Sequence, residues 1–523
     1  MSEAGHRCDY AVIGGGSAGC ALAARLSEDP EARVVLIEAG PRDADRVFEL
    51  PGLYGRAQKS DYDWDLQTEP EPGLDGRRAY LPRGRVLGGT SSINTMVYIR
   101  GHPADYDRWS ELGAAGWSFA EVLPYFLRAE DNERGAGPVH GAGGPLAVSD
   151  ARSVHPLLRA WVLAANEAGH PPNDDFNGDR QDGVGVYQMT QRDGLRCSAA
   201  SAYLAPARDR PNLRVLTSAR ALRIGLRRSR AVAVEVERFE RRSALRVERE
   251  VIVCAGAYLS PALLMCSGIG PAEHLASVGV RPLVDLPDVG ENLQDHLGCF
   301  LSFPARTPDL QGADTPANEA LARREGRGPL LWSEAGGFLR TREDAELPDV
   351  QFHAAPGGFL DEGLAAPAGH ALSFGPYVNR PRSRGTVRLR SPLPSAKPRI
   401  MHNYLADERD LTTLRDGLRL ALEIARQPAL RSHLIAGAPH RGIPDSDSDA
   451  DLDRHIRRTA FSFYHPAGTC AIGRVVDPRL RVLGVEGLRV ADTSIMPLLV
   501  AGNTNAPAIM IGEKAADLIR ADA

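Results

Sequence analysis

The sequence predicts an α/β protein with two units, one built on a parallel sheet and assembled from separate stretches of chain, the other α+β with an antiparallel sheet. Three observations predict this. A strand, a glycine-rich turn, a helix and a second strand follow one another at the N-terminus. Further strand patterns return near residues 213–216, 231–236 and 247–254, and a helical pattern closes the chain. The stretches between are richer in loops and carry alternating segments such as GTVRLRS and ALSFGPYV, the pattern of half-buried antiparallel strands.

The first strand, residues 9–13 (DYAVI), runs directly into Gly14, Gly15, Gly16, Ser17, Ala18 and Gly19, and an Ala- and Leu-rich helix is expected over residues 20–27. In this GxGxxG order Gly14 permits the tight turn, Gly16 lets the backbone approach a pyrophosphate, and Gly19 lets the helix pack close to the strand. The helix N-terminus then faces the phosphates. The second strand, residues 33–37 (RVVLI), ends at Glu38, whose carboxylate can accept hydrogen bonds from ribose hydroxyls and would repel the 2′-phosphate of NADP. Strand, turn, helix, strand and acid together make a Rossmann-type unit. They do not choose between FAD and NAD.

At 523 residues the chain exceeds one ordinary core. Hydrophobic residues at 43% and charged residues at 25% are those of a soluble globular protein, and a net charge of -5 gives no electrostatic footprint for nucleic acid. No long apolar run predicts a membrane span, and the opening MSEAGHRC has no secretory core, so a cytoplasmic protein is expected. The seven cysteines are odd in number, widely spread and without a CxxC pair, which predicts buried free thiols. The fourteen histidines form neither HExxH nor a close pair with cysteine, so no metal is expected.

Three further segments carry the chemistry. Residues 84–94 (GRVLGGTSSIN), continued by TMVYIRG, make a loop of glycines and hydroxyl residues that offers many backbone N–H groups. Residues 256–270 include Gly256, Ala257, Tyr258, Leu259, Ser260 and Pro261, and end in Ser267, Gly268, Ile269 and Gly270. The tail carries His465-Pro466-Ala467-Gly468-Thr469, then GLRVAD, then Gly502-Asn503-Thr504-Asn505-Ala506-Pro507. The first two segments resemble the two signatures of the glucose-methanol-choline (GMC) oxidoreductases, and the third is similar to that family's active-site end. Shorter stretches, VGENLQDH (residues 289–296), SRGTVRL and NYL, extend the resemblance along nearly the whole chain.

The resemblance implies FAD, with the adenosine half on Gly14, Gly16, Ser17, Ala18, Gly19 and Glu38 and the flavin half near Gly88, Gly89, Ser91 and Asn94. Ala39, Arg85, Met96, Val97, Ala221, Asp492, Thr504 and Asn505 complete the implied cofactor-binding set. In the choline oxidase branch a histidine of the first signature bonds covalently to the flavin. That position is Ile93 here, and an alkyl side chain cannot make the bond, so non-covalent FAD is expected.

The tail supports a flavin on physical grounds as well. Asn505 is a good N-cap, Pro507 suits the first helical turn, and residues 508–519 have helical apolar spacing. A helix N-terminus aimed at the reduced flavin would stabilise its negative charge, although an ordinary capped C-terminal helix has the same pattern. Alcohol oxidation needs a base for the hydroxyl proton while hydride leaves for flavin N5, and histidine suits neutral pH. By the resemblance His465 is that base and Asn503 a hydrogen-bond donor to the developing alkoxide, with Phe463 and Tyr464 shaping the substrate pocket.

The expected division is an FAD-binding domain of residues 1–100, 212–296 and 456–523, and a substrate domain of residues 101–211 and 297–455 with a mobile lid or surface insert over residues 304–328. The expected partners are a small alcohol and oxygen or another electron acceptor, in a monomer or homodimer. The same fold also carries hydroxynitrile lyases and a light-driven fatty-acid decarboxylase, so a non-oxidative flavoprotein is the alternative, and a redox-silent binding protein a third. The alcohol is left open, and Ala471-Ile472-Gly473 after HPAGTC, where the bacterial choline dehydrogenases usually carry a basic residue, argues against choline.

Overall fold

The computed structural model describes residues 7–365, 369–435 and 442–523. Five parallel strands form the first sheet in the order Leu213–Leu216, Val34–Ile37, Arg7–Ile13, Arg241–Val253 and Leu488–Val490. Ala11, Val12, Val34 and Leu36 are fully buried, because helices and loops cover both faces of a parallel sheet and leave no wet side. The strand pattern expected from Val247 starts earlier, at Arg241. Residues 241–246 pair antiparallel with Arg230–Arg238, which pairs in turn with Ala219–Arg227. This ribbon has exposed positions, so it tolerates the arginines and glutamates along it.

The helix after the glycine turn spans Ser17–Leu26, three residues ahead of its expected start. Gly16 is its N-cap and brings no capping side chain, so the first-turn N–H groups keep their capacity for a ligand. The C-terminal helix Asn505–Arg520 crosses it closely: a Cβ on Gly512 would lie 2.3 Å from the Ala18 carbonyl oxygen. The crossing is locked by fully buried Glu513, which accepts hydrogen bonds from Arg25, from Arg128 Nε at 2.8 Å and from the Tyr203 hydroxyl at 2.7 Å. Removing one member of a buried charged cluster leaves its partners short of compensation, so Glu513→Ala is expected to lower stability by about 3 kcal/mol in urea unfolding.

The second sheet is antiparallel, in the order Ala335–Leu339, Val350–Ala355, Ala371–Val378, Leu297–Gly298 and Phe461–Ser462, with Leu301–Pro304 also on Ala371–Val378. The segment ALSFGPYV is its central strand, whereas Thr386–Arg388 pairs with Arg399–Met401 in a separate ribbon. The helices Pro156–Glu167 and Glu408–Arg426 supply much of the core on this side. Two segments depart from the expected division. Phe461–Ser462 joins the antiparallel sheet, and the chain returns to the parallel sheet only at Leu488. The helices Pro103–Glu111 and Phe119–Ala129 send Tyr106, Trp109 and Phe126 into the core of the nucleotide unit. Their aromatic stripes were masked by the glycine- and charge-rich loops around them.

Residues 304–328 hold the helix Pro316–Glu325, tied back by Arg46 to Glu319 and by Arg323 to Glu49. All seven cysteines are free and buried. Among the described residues no helix is long and apolar enough to cross a membrane.

Candidate active site

One cavity of about 640 Å³ is walled by both units, and the glycine turn and His465 both border it. Of the residues singled out from sequence, Gly14, Gly16, Ser17, Ala18, Glu38, Ala39, Gly89, Asn94, Met96, Val97, Ala221, Asp492, Thr504 and Asn505 line it, together with Phe463, Tyr464, His465 and Asn503. Gly19, Arg85, Gly88 and Ser91 stand behind the wall. Gly88 N–H donates to the Gly15 carbonyl at 2.7 Å, and Ser91 Oγ donates to the Gly88 carbonyl at 2.6 Å, which clamps this loop to the glycine turn. Arg85 Nε donates to the Asp61 carbonyl at 3.1 Å.

The three glycines of the motif act differently. Gly14 has φ +106°, and a Cβ there would overlap the Cys254 carbonyl. A Cβ on Gly19 would lie 1.9 Å from the Gly14 carbonyl oxygen, so the helix sits against the turn only because none is present. A Cβ on Gly16 would meet no protein atom within 4 Å. Its backbone borders open cavity, which fits the close approach of a pyrophosphate.

Glu38 has a structural duty as well. Its carboxylate accepts from Gly15 N–H at 2.8 Å and Gly40 N–H at 2.7 Å, and burial pushes its pKa up to about 7. The carboxylate of Asp492 likewise joins the end of Leu488–Val490 to the start of the helix Gly256–Cys266, accepting from Gly256 N–H at 2.9 Å and Ser260 Oγ at 2.5 Å. Thr504, not Asn505, is the N-cap of the C-terminal helix. Asn505 is its first residue, and its Oδ1 instead accepts from Ser17 Oγ at 2.7 Å. The hydrogen bond sets two helix N-termini side by side at the cavity wall, where their partial positive charges favour an anionic ligand.

His465 lies where the chain crosses from the antiparallel sheet back toward the parallel one. Its backbone N–H donates to Asp295 Oδ1 at 2.8 Å, and Arg83 Nη2 donates to the carbonyl of Tyr464, a residue held at φ +67°. The residue is 9% exposed. Its Nε2 is 3.3 Å from Asn503 Nδ2 and its Nδ1 is 3.0 Å from His296 Nδ1. Burial holds its pKa well below the usual histidine value, and His296, His353 and Arg83 push the same way. A neutral imidazole and an amide therefore stand together on a cavity wall, equipped to take a proton from a hydroxyl and to donate a hydrogen bond to the oxygen left behind.

Residues absent from the sequence-based set complete this end. Gln351 Nε2 donates to Asn503 Oδ1 at 3.2 Å and lies 3.0 Å from His353 Nε2, while His353 Nδ1 is 2.5 Å from Glu334 Oε2. Glu334 also accepts from Trp332 Nε1 at 2.9 Å. No motif marks these side chains, because the pairing of Gly336 with His353 across two strands brings them together. Asp295 and His296 did have a signal, the VGENLQDH stretch. Phe463 packs on Tyr377 at 4.5 Å between ring centroids, and a Cβ on Gly298 would strike its ring.

The chain matches the family models for the N- and C-terminal parts of GMC oxidoreductase, over residues 8–298 and 381–512. It is 42% identical over 525 residues to the oxygen-dependent choline dehydrogenase of Brucella ovis, covering 98% of this chain and 95% of that one. Among solved structures it is similar to pyridoxine 4-oxidase from Mesorbium loti, with TM-score 0.87, 36% identity and 98% of each chain covered. It is also similar to formate oxidase of Aspergillus oryzae RIB40, from work on modification of its FAD, with TM-score 0.90, 26% identity, and 99% and 98% of the two chains covered.

Proposed function

The chain belongs to the GMC oxidoreductase family, and from that premise we propose that it oxidises the CH–OH group of a small alcohol to a carbonyl, with His465 as general base and Asn503 as hydrogen-bond donor. The cofactor is FAD. The residues present fit it, with the open face of Gly16 for the pyrophosphate and two helix N-termini on the same wall. Ile93 lines the cavity without a nucleophilic atom, which supports non-covalent binding. When bound, FAD supplies the acceptor for the hydride that leaves the carbinol carbon.

The observation that carries the reading is that a buried, neutral His465 and Asn503 border the same cavity as the glycine turn. His465 Nε2 takes the hydroxyl proton, and Asn503 Nδ2 donates to the oxygen as charge develops there. Phe300, Phe359, Phe461 and Phe463 make the same cavity wall partly apolar, and a lower local polarity would strengthen both interactions.

The test is anaerobic mixing of the purified protein with choline, pyridoxine, benzyl alcohol and 1-butanol, recording flavin absorbance and then admitting air. Bleaching by at least one alcohol is the expected result, and recovery of colour in air identifies oxygen as an acceptor. A flavin that none of the four bleaches would refute the reading.

Two further outcomes follow. Asn503→Ala removes one donor and leaves the base in place, so flavin reduction should slow by about 10- to 100-fold, the 1.5–3 kcal/mol of a hydrogen bond to a charged group, in stopped-flow traces. Because the base is active when deprotonated and its pKa is depressed, the acid limb of the pH profile of kcat/KM should fall below pH 6.5. An acid limb above that value would contradict a buried neutral imidazole.

A further inference from the structure

We infer that His296 is a positioning residue that fixes which nitrogen of His465 is free to act as the base. This deepens the proposed function and rests on it. His296 Nε2 lies 3.0 Å from the carbonyl oxygen of Asn379. A carbonyl can only accept, so that nitrogen carries the hydrogen. The ring is fully buried, and burial holds its pKa down to about 3, so it is neutral and has a single N–H. Its Nδ1 is therefore a bare lone pair, and His465 Nδ1, 3.0 Å away, must be the donor to it. That leaves His465 Nε2 unprotonated on the cavity side, 3.3 Å from the Asn503 amide nitrogen, which can only donate.

Both ends of the array select the same tautomer. With the hydrogen on Nε2 instead, two lone pairs would face each other at 3.0 Å on one side of the ring and two N–H groups would meet on the other. The continuation agrees, since Asn503 Oδ1 accepts from Gln351 Nε2, and Gln351 Oε1 accepts from the Tyr377 hydroxyl. Tyr377 in turn stacks on His296 with ring centroids 4.6 Å apart and holds its plane. The neighbouring residue does the matching work on the backbone, because Asp295 accepts from His465 N–H. Consecutive residues thus hold the chain and the ring of the base, and the antiparallel pairing of Leu297 with Ser462 sets them behind it. When His465 gains a proton, its Nδ1–H bond to His296 becomes charge-assisted and stronger.

The experiment compares the holoenzymes of His296→Leu, His296→Gln and His296→Asn by anaerobic stopped flow, using whichever of the four alcohols bleaches the wild type most completely. An asparagine Oδ1 sits close to where histidine has Nδ1 and can accept from His465. A glutamine amide reaches instead toward Nε2 and the Asn379 carbonyl. The Leu and Gln variants should lower the limiting rate of flavin reduction by about 10- to 100-fold, with the half-saturating alcohol concentration unchanged within about twofold. His296→Asn should return to within about fivefold of wild type, and the FAD-to-protein ratio should be the same in all four proteins.

Ring-15N spectra of histidine-labelled protein supply a readout apart from turnover. The resonances missing from His465→Ala should report an unprotonated Nε2 in the wild type. A wild-type rate in the Leu or Gln variant, an Asn variant no faster than Gln, or a protonated Nε2 would overturn the assignment. His465→Ala separates the two levels. Normal reduction in that variant refutes the base itself, whereas lost reduction there with a wild-type rate in His296→Leu refutes only the role of His296. A wild-type flavin bleached by none of the alcohols overturns both.

Discussion

His465→Ala should purify yellow, with a full complement of FAD, and lose alcohol-dependent bleaching by about 10²–10⁴ in rate, roughly 3–5.5 kcal/mol of barrier. The colour should survive because the glycine turn, Glu38 and the two adjoining helix N-termini are untouched by the substitution. The rate should fall because Nε2 is the only basic nitrogen of His465 on the cavity side, and Asn503 beside it offers an amide nitrogen with no basic lone pair. The pocket should change little in shape, since the backbone of residue 465 remains tied to Asp295 and that of Tyr464 to Arg83. Stopped-flow reduction under argon is the measurement, and a variant that bleaches at the wild-type rate removes His465 from the mechanism.

The second large effect separates two glycines of one motif. Gly19→Ala places a methyl group 1.9 Å from the Gly14 carbonyl oxygen, where the Gly14 backbone and the nearby Cys254 Cβ prevent relief. Overpacking of this kind costs about 1–3 kcal/mol or more, and here it also pushes the helix Ser17–Leu26 away from the turn. The variant should melt earlier than wild type even after removal of FAD, and should come off a column colourless. Gly16→Ala puts its methyl group into open cavity, with no protein atom within 4 Å. Its FAD-free form should unfold at the wild-type urea concentration, while its affinity for FAD falls. Equal loss of apo stability in the two variants would show that Gly16 is a packing glycine and not a contact surface for the cofactor.

Much of the site was legible because its determinants are local. A strand that ends in GxGxxG and a helix needs only a few consecutive residues to make its turn, so Gly14, Gly16, Ser17 and Ala18 could be placed from their order alone. The start of the C-terminal helix was right to one residue, but its cap was not. Asn505 has a partner 488 positions away, Ser17, that draws its side chain out of the capping role. Arg85 is a similar case, since its guanidinium donates to the Asp61 carbonyl and lies over the Trp64 ring, and it is Trp64 that borders the cavity in its place.

By itself the sequence determined the parallel-sheet unit and the family signatures, because each is carried by contiguous residues, and it was the resemblance of those signatures that singled out His465 and Asn503 as the proposed base and donor. Only the tertiary structure decided that Asp295 and His296 back the imidazole, that Gln351 holds the amide, and that Glu334 and His353 border the same cavity. Gln351 and His353 lie on one strand, while Asp295, His296 and Glu334 sit just ahead of two others, and a hydrogen bond across 152 or 169 residues leaves no period or spacing to read. Their placement follows from sheet register, where a shift of one residue would turn His353 and Gln351 to the opposite face.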